Sequence, residues 1–236
     1  MTDRPAGARP TRSRPARPVL LVLPILCVVL AGCDGPQSAL GGGGREASEV
    51  GRLFWVMLAG AALVWAVVMG TAIFAVLQPP RGSRPANILI IGGGVVFPVI
   101  VLAALLTYGL SMLPDWAQSG TRIKVHVTGE QWWWRVAYEL PDGTRVRDAN
   151  EIHLPAGEPV EFVLTADEVI HSFWIPSIGG KMDMIPGRTN RLILTAEKPG
   201  TYRGVCAEYC GTSHALMAFS AVVHEPEVFD AWLASQ

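Results

Sequence analysis

Cys206-Ala207-Glu208-Tyr209-Cys210-Gly211-Thr212-Ser213-His214-Ala215-Leu216-Met217 sets two thiols, an imidazole and a thioether within twelve residues. Soft sulfur and imidazole donors suit copper, whereas calcium and magnesium want oxygen. A mononuclear copper site for electron transfer uses one Cys, His ligands and a weak axial Met. Here a second Cys stands four positions after the first. One ion has little use for two thiolates from the same tight loop. Two sulfurs that each bridge two ions would use both, so the spacing reads as a dinuclear copper loop. The competing reading is a disulfide, which an oxidising compartment permits. The copper reading needs a second histidine from elsewhere.

Four histidines remain: His126, His153, His171 and His224. His171 is the best candidate. It precedes Ser172-Phe173-Trp174-Ile175-Pro176 at the end of a predicted strand, where backbone can hold an imidazole rigidly beside another loop. His126 sits inside a strand pattern and His224 beyond the last strand. These two and His153 read as structural.

The whole chain has 236 residues, half of them hydrophobic, 17% charged, with a formal net charge of −1. That is apolar for a soluble protein. The near-zero charge gives nucleic-acid binding no support. The apolar residues are segregated, with long runs before Met112 and most of the acids after Asp115.

Arg4, Arg9, Arg12, Arg14 and Arg17 precede an apolar run from Val19 to Leu30, the pattern of a signal peptide over residues 1–32. Leu30-Ala31-Gly32-Cys33 resembles a bacterial lipoprotein signal, which implies cleavage before Cys33 and a lipid on its sulfur. An ordinary signal peptide or an uncleaved anchor is the alternative. Residues 33–50, with Gly41 to Gly44, read as a flexible linker. Uncharged apolar runs at about 53–77 and 88–113 each exceed the roughly 20 residues that cross a bilayer. They predict a transmembrane hairpin over 51–114. Its loop carries Arg81 and Arg84 and no acid, which keeps the loop cytoplasmic and both hairpin ends outside. Gly60, Gly70 and Gly92-Gly93-Gly94 allow close helix approach to a larger membrane partner. Pro98 is a candidate kink, and Trp116 a candidate interfacial anchor.

Residues 120–236 read as an extracytoplasmic β-domain. Alternation marks strands at 123–127, 131–140, 161–164, 191–194 and 218–223, with a turn at Pro141-Asp142-Gly143. Short strands at this spacing indicate a sandwich or barrel. A closing helix is predicted over 226–235, with Val228, Phe229, Trp232 and Leu233 on one face. In Trp132-Trp133-Trp134, strand periodicity puts the first and third on one face and Trp133 on the other. One core does not absorb all three, so at least one is expected at the surface.

Two apolar spans followed by a β-domain with His171, Cys206, Glu208, Cys210, His214 and Met217 resemble subunit 2 of cytochrome c oxidase, in its bacterial form. The resemblance runs from about Leu53 to Trp232. It includes Gly129-Glu130-Gln131-Trp132, Pro176-Ser177 with Lys181 and Asp183, and Ile185-Pro186-Gly187-Arg188. It implies a cupredoxin-like Greek-key barrel with a dinuclear copper centre, CuA. Cys206 and Cys210 then bridge, His171 and His214 each cap one copper, and Met217 and the Glu208 carbonyl are axial. The Glu208 carboxylate is further implied to meet a magnesium ion shared with subunit 1. Trp132 inherits the place where electrons arrive from cytochrome c, with Trp133 as a coupling residue.

The same resemblance implies assembly with the haem-bearing subunit 1 and with subunit 3 in the bacterial inner membrane. The complex reduces oxygen and translocates protons, with no oxygen chemistry in this chain. Because cytochrome c is generally basic, Glu130, Asp167 and Glu168 are the expected docking acids. Trp133 stands where the family usually has Tyr. Ile91 stands where it often has a proton-pathway Glu. The alternatives are a quinol-oxidase subunit, which usually lacks the copper ligands, and a membrane-anchored copper chaperone, which needs neither two spans nor Met217.

Overall fold

The computed structural model describes residues 35–78, 87–112, 121–140 and 143–236. The expected signal peptide, Cys33, Arg81, Arg84 and Trp116 lie outside the described residues.

The first apolar run forms helix α1, Arg45–Leu77. The second forms a π-helical stretch, Ile88–Val96, continued by α2, Phe97–Ser111. Both are long and apolar enough to cross a membrane, and their most apolar windows have no buried residue. The π-helical stretch ends at Val96, and Pro98, at the start of α2, has no N–H to donate back into it.

α1 begins earlier than the apolar run, and the stretch expected as a flexible linker is partly docked. Gly43 N donates to Ser177 O at 2.9 Å, Glu197 N donates to Gly43 O at 2.8 Å, and Gly44 pairs with Ala196. A Cβ on Gly44 would collide with the Ile178 carbonyl, so glycine is what permits this approach. Glu46 accepts from Thr195 N at 3.2 Å, and Ala47 is buried. Composition alone reads glycine as slack; here it provides room for a backbone contact.

The β-domain has two five-stranded sheets. The strands are β1 (Ile123–Glu130), β2 (Trp133–Glu139), β3 (Arg145–Ala149), β4 (Glu151–Pro155) and β5 (Pro159–Ala166). They continue with β6 (His171–Trp174), β7 (Met182–Met184), β8 (Asn190–Thr195), β9 (Gly200–Cys206) and β10 (Ala218–His224). The sheet orders are β3-β2-β1-β5-β8 and β4-β10-β9-β6-β7. β1–β5 and β4–β10 pair parallel and the other neighbours antiparallel. α3, Pro226–Ala234, closes the chain and buries Phe229.

The inward face of β1 carries Val125 and Val127, both fully buried. Trp134, Phe162, Phe173 and Phe219 form the aromatic centre. Phe173 lies 5.0 Å from both Phe162 and Phe219, and Trp134 is 5.8 Å from Phe173. This cluster joins the two sheets.

The expected strand at 131–140 starts two residues later. Glu130 pairs with Trp133, so Gln131 and Trp132 are a two-residue hairpin connection. Strand alternation therefore governs Trp133, which is 39% exposed, and Trp134, which is fully buried. Trp132 is oriented by the turn.

Candidate metal centre

Three segments meet at one end of the sandwich. β6 begins with His171, β9 ends with Cys206, and the loop from Ala207 to Met217 returns the chain to β10. Cys206 N donates to Met217 O at 2.9 Å, so the loop is closed at its base by a backbone hydrogen bond. Ala207 N donates to Ser172 O at 2.9 Å, tying the same loop to the residue after His171. Ser172 in turn donates to Asp183 at 2.8 Å.

Within this frame the ligand atoms converge. The sulfurs of Cys206 and Cys210 are 3.8 Å apart and unbonded. His171 Nδ1 lies 3.8 Å from Cys206 Sγ, and His214 Nδ1 lies 3.6 Å from Cys210 Sγ. Met217 Sδ is 3.7 Å from Cys210 Sγ, and the Glu208 carbonyl oxygen is 3.2 Å from Cys206 Sγ. Each separation is shorter than two metal–ligand bonds of about 2.0–2.3 Å end to end. One ion can therefore reach both members of each pair.

His171 carries the strongest indication of metal binding. The residue is fully buried, yet neither ring nitrogen has an oxygen or nitrogen partner among the described residues. A buried imidazole without partners is costly unless something else binds it. Burial also pushes its pKa down, as does nearby His214, against the pull of Glu130. The ring is held neutral, the form that ligates metal. Burial, reinforced by Cys206, pushes the Cys210 thiol up to about 12. A cation that replaces its proton removes that penalty.

Gly129 makes the space. A Cβ there would lie 2.8 Å from His171 Cδ2. Trp134 supports the ring from below, with centroids 6.3 Å apart. Trp132 covers the loop: its indole N–H donates to Cys210 O at 3.2 Å, and the Gln131 amide donates to the same oxygen at 2.7 Å.

The three expected docking acids differ in their surroundings. Glu130 and Asp167 both bind the Arg135 guanidinium, Asp167 at 3.1 Å. Glu168 is exposed, has a positive φ of 62° and carries no ion pair among the described residues. The Glu208 carboxylate is exposed and accepts from Tyr209 N at 3.3 Å, while its carbonyl faces Cys206. Sequence reasoning missed Gln131 and Arg135. Gln131 adjoins the tryptophan run, and Arg135 is separated from Asp167 by a strand crossing that no local pattern reveals.

His126 is structural as expected, bound to Glu139 at 2.8 Å. His153 and His224 meet each other, at 2.7 Å between Nδ1 and Nε2.

The family model for the periplasmic domain of cytochrome c oxidase subunit II matches residues 142–224. The chain is 35% identical over 232 residues to cytochrome c oxidase subunit 2 of Alkalihalophilus pseudofirmus, a match spanning 90% of this chain and 66% of that protein. It is 34% identical over 194 residues to a probable cytochrome c oxidase subunit 2 of Rickettsia bellii, covering 72% of each. A solved periplasmic domain of subunit II of the Bradyrhizobium japonicum cytochrome oxidase is 31% identical, with a TM-score of 0.46, over 50% of this chain and 94% of that one. The chain thus spans just under two thirds of the first relative's length and nearly three quarters of the second's. By sequence identity over that length, this chain belongs to the cytochrome c oxidase subunit 2 family.

Proposed function

We propose that this chain is the subunit of a haem–copper terminal oxidase that accepts electrons from cytochrome c and hands them to haem in subunit 1. The observation that carries this is the convergence of two unbonded thiols, two imidazoles, a thioether and a carbonyl around one loop whose sulfurs are buried.

His171, Cys206, Cys210, His214, Met217 and the Glu208 carbonyl would hold two copper ions. Such a centre, when bound, supplies one-electron redox chemistry with the charge shared between two ions. The chain's own part is to hold its donors still and dry. β6 and β9 fix His171 and Cys206 on paired strands. Met217 and Cys210 are 2% and 3% exposed, which keeps water from the sulfurs. Trp132 bridges the outer surface and the Cys210 carbonyl, the short covalent path to a ligand. Trp133 offers its exposed ring beside it.

The further assignments follow from this reading. α1 and the second apolar helix anchor the chain in the bacterial inner membrane, with the β-domain on the periplasmic side. The Glu208 carboxylate is free to meet a magnesium ion at the subunit 1 face, a hard ligand for a hard cation. Subunit 3 completes the partners, and proton translocation belongs to the whole complex. Cys33 is the candidate lipid anchor. The presence of the full donor set favours this reading over a quinol-oxidase subunit.

The test is the near-infrared and electron paramagnetic resonance spectrum of the copper-loaded full chain in detergent. One unpaired electron shared by two coppers is expected. A one-copper spectrum, or failure to retain copper, would refute the proposal.

A further inference from the structure

A second cluster of ligating side chains lies at the end of the sandwich remote from the copper loop. β10 leaves Met217 and reaches His224 seven residues later, roughly 20 Å away at strand rise. There His224 meets His153 of β4, beside Glu151 of the same strand and Asp148 of β3. The two strands belong to different sheets.

His153 is 9% exposed, and three groups fix its ring. Trp232 of α3 lies over its face, with centroids 4.0 Å apart and planes 16° apart. Its Nδ1 is 2.7 Å from His224 Nε2. The two rings are 5° from parallel with centroids 5.0 Å apart, the separation of rings lying end to end across that hydrogen bond. Its Nε2 points the other way, 2.8 Å from Glu151 Oε1. One ligand atom each from Asp148, Glu151 and His153 lie within 4.8 Å of one another. Among the described residues, neither carboxylate pairs with Lys or Arg, and Glu151's ion pair is to His153 alone. Two carboxylates therefore lie beside one imidazole, with no Lys or Arg ion pair to balance them among the described residues.

We propose that Asp148, Glu151 and His153 form a second site, for a divalent transition-metal ion of the zinc class. A borderline cation takes one imidazole and two carboxylates readily, whereas calcium and magnesium prefer an all-oxygen shell. Bonds of about 2.0–2.1 Å hold tetrahedral ligands about 3.3 Å apart, so Glu151 moves outward by about half an ångström. Its side chain is 48% exposed and free to do so. With the ion on Nε2, the proton of His153 sits on Nδ1 and is donated to His224 Nε2. His224 then carries its own proton on Nδ1, and the pair changes tautomer without gaining charge. His224 is thus a positioning residue, orienting the ligand ring through its second nitrogen. The bound ion would clip β3 to β4 across the open flank of the sandwich, under α3.

The experiment titrates the copper-loaded full-length chain in detergent with zinc chloride, by calorimetry and by zinc K-edge absorption. One zinc per chain is expected, in a shell of nitrogen and oxygen at about 2.0–2.1 Å with no sulfur. Glu151→Gln and Asp148→Asn should each weaken binding tenfold or more, and His224→Ala about tenfold. The two acid variants lie outside the core and keep their shape, and an unchanged thermal midpoint without zinc verifies folding. Absence of zinc binding, an affinity in both acid variants equal to the parent's, or sulfur at about 2.3 Å, which would place the ion on Cys206 and Cys210, would each overturn the assignment.

Discussion

The indole N–H of Trp132 donates to the carbonyl oxygen of Cys210 at 3.2 Å. A half-buried surface aromatic is thereby joined by one hydrogen bond to the backbone of a candidate copper ligand. Trp132→Phe keeps the ring and deletes the donor. Gln131 still satisfies the carbonyl, so the loop should hold its shape. Electron uptake from reduced cytochrome c should fall by about tenfold or more while the near-infrared copper band stays in place. Stopped-flow mixing measures the first and absorption the second. An unchanged uptake rate would move the point of electron arrival away from Trp132.

Gly129 faces His171 so closely that any side chain intrudes. Gly129→Ala puts a methyl 2.8 Å from the ring carbon Cδ2. Overpacking of this kind costs about 1–3 kcal/mol. β1 is a central strand of its sheet, so the imidazole is the part that yields. The expected outcome is a lower thermal midpoint together with a shifted copper spectrum. A midpoint loss with an unaltered spectrum would show that the strand gave way instead.

Arg135 neutralises two of the three acids expected to meet a basic partner, Glu130 and Asp167. Arg135 and Asp167 are about half exposed and Glu130 less so, so loss of the pairs should cost on the order of 1 kcal/mol of stability. Arg135→Gln uncovers both carboxylates. Association with a basic cytochrome c should then accelerate several-fold at low ionic strength, with a steeper salt dependence. Second-order rates measured across a salt series decide this. A slower or salt-insensitive reaction would mean that these acids do not steer the partner.

His224 gives a pH dependence whose sign is set by its surroundings. Burial lowers its pKa, as does His153, while Glu151 pulls the other way. An imidazole harder to charge when folded means that the unfolded chain binds more protons. Stability should therefore decline as pH drops through the ordinary histidine value of about 6.5, levelling below the folded value. His224→Gln should flatten that decline. Urea midpoints taken between about pH 7.5 and 5 test it, the window around the ordinary histidine value. A variant as acid-sensitive as the parent would assign the effect to another group.

The parts of this molecule legible in the sequence are those encoded by near neighbours. The candidate copper loop holds five expected ligands within twelve positions, so donor chemistry alone points to a metal. The two apolar helices follow from uncharged length. His171 is separated by 34 residues from Cys206, yet its place beside a strand sufficed to select it. The Gln131–Trp132 connection was not legible: it has none of the Gly, Asn or Asp that mark a two-residue hairpin. Its two side chains instead bind a carbonyl that arrives 78 and 79 residues later. Gly43 and Gly44 were read as slack for the same reason, since the partners that make them necessary, Ser177, Ile178 and Ala196, lie far along the chain.

His153 and His224 show the division most clearly. Read singly, each is a histidine on a strand or just beyond one. Only the parallel pairing of β4 with β10 sets them end to end, beside Asp148 and Glu151, which are near His153 in the chain already. The sequence alone determined the membrane helices, the β class of the domain and the soft donor loop, because each is written in local composition or period. Tertiary structure decided which imidazole was left buried with no oxygen or nitrogen partner among the described residues, which tryptophan touches the loop, and which acids are neutralised. Those outcomes depend on strand register and sheet order, which bring together groups that local propensity cannot relate.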